Sequence, residues 1–433
     1  MAIQALIVIL AVMLVLLFIG VPISYAIAIS SLSAILSSIE LDVAVLTAAQ
    51  RTFVGMSKFS LTAIPFFILA GNIMNQGGIA KRLVNFVMAL LGKLPGALLV
   101  TNVGTNALFG AISGSASAAA AAVGSMIRDG AEEQGYDPAV TAATNAASAP
   151  SGLLIPPSNA LITYSLASGG TSVAALFMAG YVPGILWALA CAIVGVLLAK
   201  KLGYKGVPGK FDWKNLGRCT LAALPSLSLI VVVIGGIVGG VFSATEGSAI
   251  AVVYSLILAV CYRSITPKSL WKIVVDSAKM SGMVVFLIGV SNILGWVMAF
   301  LQIPDAVASL LLGLTENKYI ILLIMNLVLL AAGTFMDVTP AILIFTPLFL
   351  PICQSFGMHP IHFGLILVYN LCIGNITPPV GNTLFVGIKI GRTTLAKVMP
   401  YMLMYYAAII GGLMLVTYVP FFSMALPQLA GLA

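Results

Sequence analysis

The sequence predicts an all-α polytopic membrane protein, built as an inverted repeat with two re-entrant hairpins and two broken helices. Three observations carry that prediction. The chain of 433 residues is 61% hydrophobic and only 7% charged, whereas soluble domains carry about 25% charged residues. Its basic residues collect in some of the gaps between apolar runs and are missing from others. Its Gly and Pro landmarks recur at one constant spacing. Twenty basic and 12 acidic residues cannot coat a soluble surface of this size. An ordinary cytosolic enzyme and a disordered chain are thereby excluded. The net charge of +8 is scattered and forms no basic face, which argues against nucleic acid as a partner.

Apolar segments fall at 3–19, 20–36, 60–77, 95–128, 138–165, 173–199, 220–240, 245–262, 280–300, 319–350, 360–388 and 396–425. At about 20 residues per crossing they allow roughly ten spans. The first is read as a retained span and not a cleaved signal, because no basic region precedes it. The 42 Gly and 21 Pro argue against a bundle of plain helices. Five Cys without C-x-x-C spacing read as small core residues.

Basic residues sort the gaps. Lys81, Arg82, Lys93 and Arg128 flank 95–128; Lys200, Lys201, Lys205, Lys210, Lys214 and Arg218 fill one gap. Arg263, Lys268, Lys272 and Lys279 fill another, and Lys389, Arg392 and Lys397 a fourth. The positive-inside rule puts these in the cytoplasm, and the gaps 166–172, 241–244 and 351–358, free of Lys and Arg, outside. Segment 95–128 then begins and ends at the cytoplasm, and 319–350 begins and ends outside. Each is therefore expected to be a re-entrant hairpin. The gaps 40–58, 78–94, 263–279 and 301–317 mix apolar and charged residues and read as interfacial helices.

An offset of 222 pairs Gly135 with Gly357, Pro138 with Pro360, Gly152 with Gly374, Pro156-Pro157 with Pro378-Pro379, and Gly169 with Gly391. With one hairpin inside and one outside, the repeat is inverted, as in many secondary transporters that bind substrate and ions at the repeat interface. The expected organisation is 1–58 as scaffold and arm, 59–199 as the first transport half, 200–279 as linker, scaffold and arm of the second copy, and 280–433 as the second transport half with a C-terminal span.

Chemistry is expected where the backbone is irregular at membrane depth, which is tolerated only inside protein or along a cavity. Double prolines break the spans. Freed carbonyls, hydroxyls and Asn side chains are hard oxygen ligands, suited to Na⁺, the expected coupling ion. The candidates are Ser115, Ser117, Ser151, Gly152, Pro156 and Asn159 in the first copy. In the second they are Gly333, Thr334, Asp337, Thr339, Gly374, Thr377, Pro378 and Asn382. The offset sets Ser115 opposite Asp337 and Ser117 opposite Thr339. Asp337 is the acid well inside an apolar block, and a role in transport is the default for such a residue.

Other features read as structural. His359 and His362 suggest a loop or interface more than a metal site. Glu246 reads equally as helix-cap electrostatics and as an inter-subunit or gating contact. Gly235/Gly239 and Gly236/Gly240 suggest close helix packing, and the four Trp mostly suit interfacial anchoring. No G-x-x-x-x-G-K motif is present, so ATP is not expected to drive the chain directly. An intramembrane enzyme lacks an acid pair or cofactor motif, and a passive channel does not call for inverted broken repeats.

Several stretches resemble the large membrane subunit of TRAP (tripartite ATP-independent periplasmic) transporters. They are Ile64-Pro-Phe-Phe-Ile-Leu-Ala-Gly-Asn72, Gly110-Ala-Ile-Ser-Gly-Ser-Ala-Ser117, Ile155-Pro-Pro-Ser-Asn159, Ala244-Thr-Glu246 and Ile376-Thr-Pro-Pro-Val-Gly-Asn382. The likeness spans essentially the whole chain; Ala244 stands where a proline is expected before Thr-Glu. The resemblance implies an elevator-type ion-transporter fold in the bacterial inner membrane, with a static scaffold and a mobile transport domain. It implies Na⁺ coupling, about two ions or more, a small four-span membrane subunit, and a periplasmic binding protein that delivers an organic acid. Sialic acid is the leaning and C4-dicarboxylate the next choice. The resemblance places Ser113, Ser115 and Asp337 near the substrate, with Ser158 beside them. The competing expectation is a stand-alone Na⁺-dicarboxylate symporter of related fold.

Overall fold

The computed structural model describes residues 2–76, 78–206, 211–315 and 317–433, which are helical with no strand among them. Lys210, one of the cytoplasmic basic residues, lies outside the described residues. Six helices are long and apolar enough to cross a membrane, or seven if Leu41–Met56 and Phe59–Gln76, bent by 61°, count as one span. That number includes Val338–Ser355, an arm of the second hairpin, and leaves out Ala2–Phe18, at 17 residues, and the two broken helices. Much of the remaining apolar sequence goes into shorter helices, Ala97–Ser113, Lys318–Gly333 and Pro360–Gly374 among them.

Two copies of one element order follow each other. In the first, Ala2–Phe18 and Ile23–Ile35 precede the bent pair and the amphipathic helix Ile79–Leu91. A helical hairpin, Ala97–Ser113 and Ala116–Glu133, comes next. A broken helix, Pro138–Ser148, Ser151–Leu154 and Asn159–Ala167, leads to the long span Val173–Leu202. The second copy runs Trp213–Val238, Ala244–Cys261, Pro267–Phe300, Ile303–Leu314, the hairpin Lys318–Gly333 and Val338–Ser355, the broken helix Pro360–Gly374 and Asn382–Ile390, and Leu395–Tyr418. The returning hairpin arms, Ala116–Glu133 and Val338–Ser355, keep the offset of 222 at both ends.

Local chemistry sets these boundaries. Gly114, with φ of 62°, turns the chain between the arms of the first hairpin without a Cβ penalty. Asp137 accepts from the Ala139 amide at 2.8 Å, and Pro138 occupies the first helical turn, where its missing N–H is harmless. The double prolines, each with a cis bond, stop the helices before Ser158 and Gly381.

Three expectations change, and of the two readings of Glu246 the helix cap is the one observed. Residues 263–279 are not a separate interfacial helix: Pro267–Phe300 is one helix of 34 residues, capped by Thr266 and Ser269. At 1.5 Å per residue it is about 51 Å long, well beyond a bilayer core, so its charged first third extends past a single span as the same helix. Trp187 is no interfacial anchor: it is fully buried and donates to the Ala147 carbonyl at 2.9 Å. The G-x-x-x-G glycines do not form an internal helix contact; Gly235 faces open space and Gly236 lies against the Phe242 ring. Glu246 forms a capping box with Ser243, its carboxylate accepting from the Ser243 amide at 2.7 Å.

Pro267–Phe300 packs against Ile23–Ile35, Leu41–Met56 and Ala63–Gln76 and also against Val338–Ser355. It therefore borders both hairpin and scaffold elements, and its middle faces the site.

A candidate substrate and cation site at the hairpin tips

Each hairpin is held to its broken helix by two devices. The first is backbone contact through glycine. A Cβ on Gly152 would run into the Gly110 backbone, and one on Gly374 into the Gly333 backbone. The second is a buried amide pair. Asn106 donates to Asn145 Oδ1 at 3.0 Å and to Ser148 Oγ at 2.8 Å. In the second copy Asn370 donates to Asn326 Oδ1 at 2.8 Å. A buried amide must find partners or lose free energy, so these pairs fix the register of tip and break.

Between the tips lies a cavity of about 520 Å³. Ser115, Ser117, Asn159, Asp337, Thr339 and Asn382, all expected from sequence, line it. Met280, Met283 and Val284 form a wall. They sit 13 to 17 residues into the 34-residue helix, near its middle. Ser115 caps the returning arm of the first hairpin, accepting from the Ala118 amide at 3.3 Å, and lies 3.3 Å from the Ser117 hydroxyl. Asp337 caps the equivalent arm, accepting from the Val338 amide at 2.9 Å. Its carboxylate faces the cavity, and the Asn382 side chain approaches it.

The other expected residues stand behind this lining. Ser113 is buried and bonds to the Gly110 and Ser115 carbonyls at 3.4 Å. Ser158 caps Asn159–Ala167 and donates to the Leu153 carbonyl. Ser151 donates to the Ser148 carbonyl at the end of the preceding helix, and Thr334 and Thr377, just past their helix ends, donate to the Ala331 and Ile373 carbonyls, each at 2.7 Å. Gly152, Gly333 and Gly374 serve the crossings, and Pro156 and Pro378 the breaks. Sequence reasoning missed Thr163 and Asn375, which also line the cavity. The signal available was a polar residue in an apolar run. His362 is buried with its Nδ1 2.6 Å from Ser423 Oγ, and His359 caps its helix; neither lines this cavity.

Two electrostatic features define what the cavity can hold. Four helices begin at or beside it: Ala116–Glu133, Asn159–Ala167, Val338–Ser355 and Asn382–Ile390. Their N-termini carry positive partial charge, which suits an anion where no basic side chain lines the wall. Two buried oxygens of lining residues, Asn159 Oδ1 and Asn375 Oδ1, are without a hydrogen-bond partner among the described residues, as is Thr383 Oγ1, which does not line the cavity but follows the lining residue Asn382 in sequence. Oxygens of this type, with Asp337, form a donor set that fits a small hard cation.

The fold is that of a multi-pass membrane protein, and the family it matches makes it a transporter rather than an enzyme. The chain belongs to the family described as "Tripartite ATP-independent periplasmic transporter, DctM component", whose match spans residues 10–422. It is 52% identical to the Salmonella typhimurium protein YgiK, over 96% of this chain and 95% of that one. It is 38% identical to the isethionate TRAP transporter permease protein DctMQ of Oleidesulfovibrio alaskensis, covering 93% of this chain and 63% of the relative. The C4-dicarboxylate large permease DctM of Rhodobacter capsulatus is 36% identical over 95% and 96% of the two chains. Among solved structures, the Alcanivorax borkumensis YdaH transporter aligns with a TM-score of 0.65 over 88% of each chain at 14% identity, a likeness of fold. Large permeases of this family work with a small membrane subunit and a periplasmic binding protein.

Proposed function

We propose that this chain is the transport subunit of a Na⁺-coupled importer of an organic acid in the bacterial inner membrane. The observation that carries the reading is the shared cavity, where four helix N-termini meet a carboxylate and unpaired oxygens. The N-termini take the acid's anionic group. Asp337, Asn159, Asn375, Thr383 and Asn382, with carbonyls freed at the two breaks, hold sodium ions. Because each copy contributes one tip and one break, two related cation sites result.

The energetics suit accumulation. One Na⁺ entering down about 100 mV gains about 2.3 kcal/mol, and a tenfold gradient adds about 1.4 kcal/mol. Two ions supply about 7 kcal/mol, less the cost of the substrate's own charge. Movement of the hairpins and broken helices past Pro267–Phe300, in the manner of an elevator, would carry the loaded cavity across. Small acids of the kind after which the relatives are named, isethionate and C4-dicarboxylates, are the first substrates to try, with sialic acid next.

The test is reconstitution into proteoliposomes with each component omitted in turn. Uptake is expected when this chain, the small membrane subunit, the loaded binding protein and an inward Na⁺ gradient are all present. Rapid, saturable Na⁺-driven uptake by this chain alone would favour the stand-alone symporter.

A further inference from the structure

Three of the 20 basic residues, Arg51, Lys58 and Lys318, fall outside the gaps assigned to the cytoplasm. Cations on the external side run against the positive-inside bias and call for a local reason. Arg51 and Lys58 line one cavity of about 280 Å³. No Asp or Glu lines it, and neither residue has an ion pair among the described residues. The Arg51 guanidinium sits 5.5 Å from the Trp296 ring centroid, a contact that positions the fork while leaving its N–H groups open.

This recess continues the tip cavity along the same three helices. On the broken helix, Ala160 and Thr163 line the inner cavity, and Leu166 and Ala167 the outer one. On the hairpin arm, Val338 and Thr339 give way to Leu343 and Pro347. On the long helix, Met283 and Val284 give way to Ile288 and Ser291. Steps of three and four residues keep one helix face, so the two cavities lie in file. Gly169, in the loop read as external, marks the outer end.

We propose that Arg51 and Lys58 form an external receiving site, where the carboxylate or sulfonate of an organic acid docks before it reaches the hairpin tips. The ligand and its direction of travel rest on the importer reading; the electropositive recess does not. Two unpaired, exposed cations at a recess whose other lining includes Leu166, Ile288, Leu343 and Pro347 attract anions, and Arg offers a carboxylate two parallel N–H bonds. The outer recess thus supplies the full positive charge that the inner cavity, lined by Asp337, lacks.

The experiment uses the full chain, free of native Cys, in nanodiscs, with Gly295→Cys as reporter. A Cβ there meets only Pro347, at 4.0 Å. The reporter is modified with an anionic and a cationic methanethiosulfonate reagent, and the ratio of the two rates is read. At low salt, Arg51→Gln with Lys58→Gln should lower the anionic-to-cationic ratio by about tenfold. Arg51→Lys with Lys58→Arg should preserve the ratio, which separates charge from misfolding. Millimolar succinate should slow modification of the parent chain and not of the double Gln variant. An unchanged ratio in that variant, or no protection by succinate, would overturn the proposal. The readout needs no transport, so a chain that passes it yet imports nothing sinks only the importer reading.

Discussion

Ser115 and Asp337 stand at one position of two repeated hairpins, 222 residues apart, and each caps the helix leaving its tip while facing the same cavity. One copy keeps a neutral hydroxyl and the other a carboxylate. The two tips are therefore alike in shape and unlike in charge, so replacements at the two positions should differ in effect.

Asp337→Ala removes a charged ligand from a cavity-facing position. Hydrogen bonds and contacts to a charged group are worth about 1.5–3 kcal/mol, so the Na⁺ concentration needed for half-maximal uptake should rise about 10- to 100-fold. Loss of the helix cap should cost only about 1 kcal/mol of stability. Ser115→Ala loses a similar cap with a smaller effect on Na⁺. Uptake against Na⁺ concentration, beside thermal unfolding, separates the two. Equal Na⁺ curves for Asp337→Ala and the parent would refute the assignment.

Glycine at the two crossings should be obligatory. Gly152→Ala and Gly374→Ala each push a methyl group into backbone, where no side chain can swing aside. Overpacking of this kind costs about 1–3 kcal/mol or more. Gly411→Ala, with nothing within 4 Å of the added carbon, should be neutral. Unfolding temperatures in detergent would show the contrast; equal losses at all three positions would contradict the crossing geometry.

The buried amide pair should matter more than its size suggests. Asn106→Ala leaves Asn145 Oδ1 and Ser148 without their donor, and an unsatisfied buried polar group costs about 1–3 kcal/mol. Asn106→Leu should be at least as harmful, because it restores apolar area but not the bonds. Stability of the leucine variant at parent level would show that the pair holds nothing together.

Topology is open to direct labelling. Single Cys at Lys201 and at Ser168, in a Cys-free chain, should react with an impermeant thiol reagent from opposite sides. Labelling of position 201 from outside intact cells would undo the inverted arrangement.

Hairpins and breaks were legible because Gly, Ser and Pro-Pro dictate backbone shape wherever they fall. Gly114 and the double prolines mark turns by local sterics alone. Helix continuity was not legible at 263–300, because Lys268, Lys272, Asp276 and Lys279 read as an interface while the structure runs them into one helix with the apolar stretch that follows. Thr163 and Asn375 were missed because their role depends on which helix face meets the opposite copy, a tertiary fact. Trp187 was misread for the same reason: its ring is buried by Tyr369, 4.8 Å away between centroids, from the other repeat.

Cation dependence of uptake tests the central claim most directly. Proteoliposomes carrying the complete transporter, with substrate-loaded binding protein outside, would be given Na⁺ or K⁺ at equal ionic strength and membrane potential. Uptake should be absent in K⁺, should rise steeply with Na⁺ as more than one ion binds, and should shift to higher Na⁺ in Asp337→Ala and Asn382→Ala. Full uptake in K⁺ alone would contradict a site in which the two hairpin tips and two broken helices bind sodium with the organic acid.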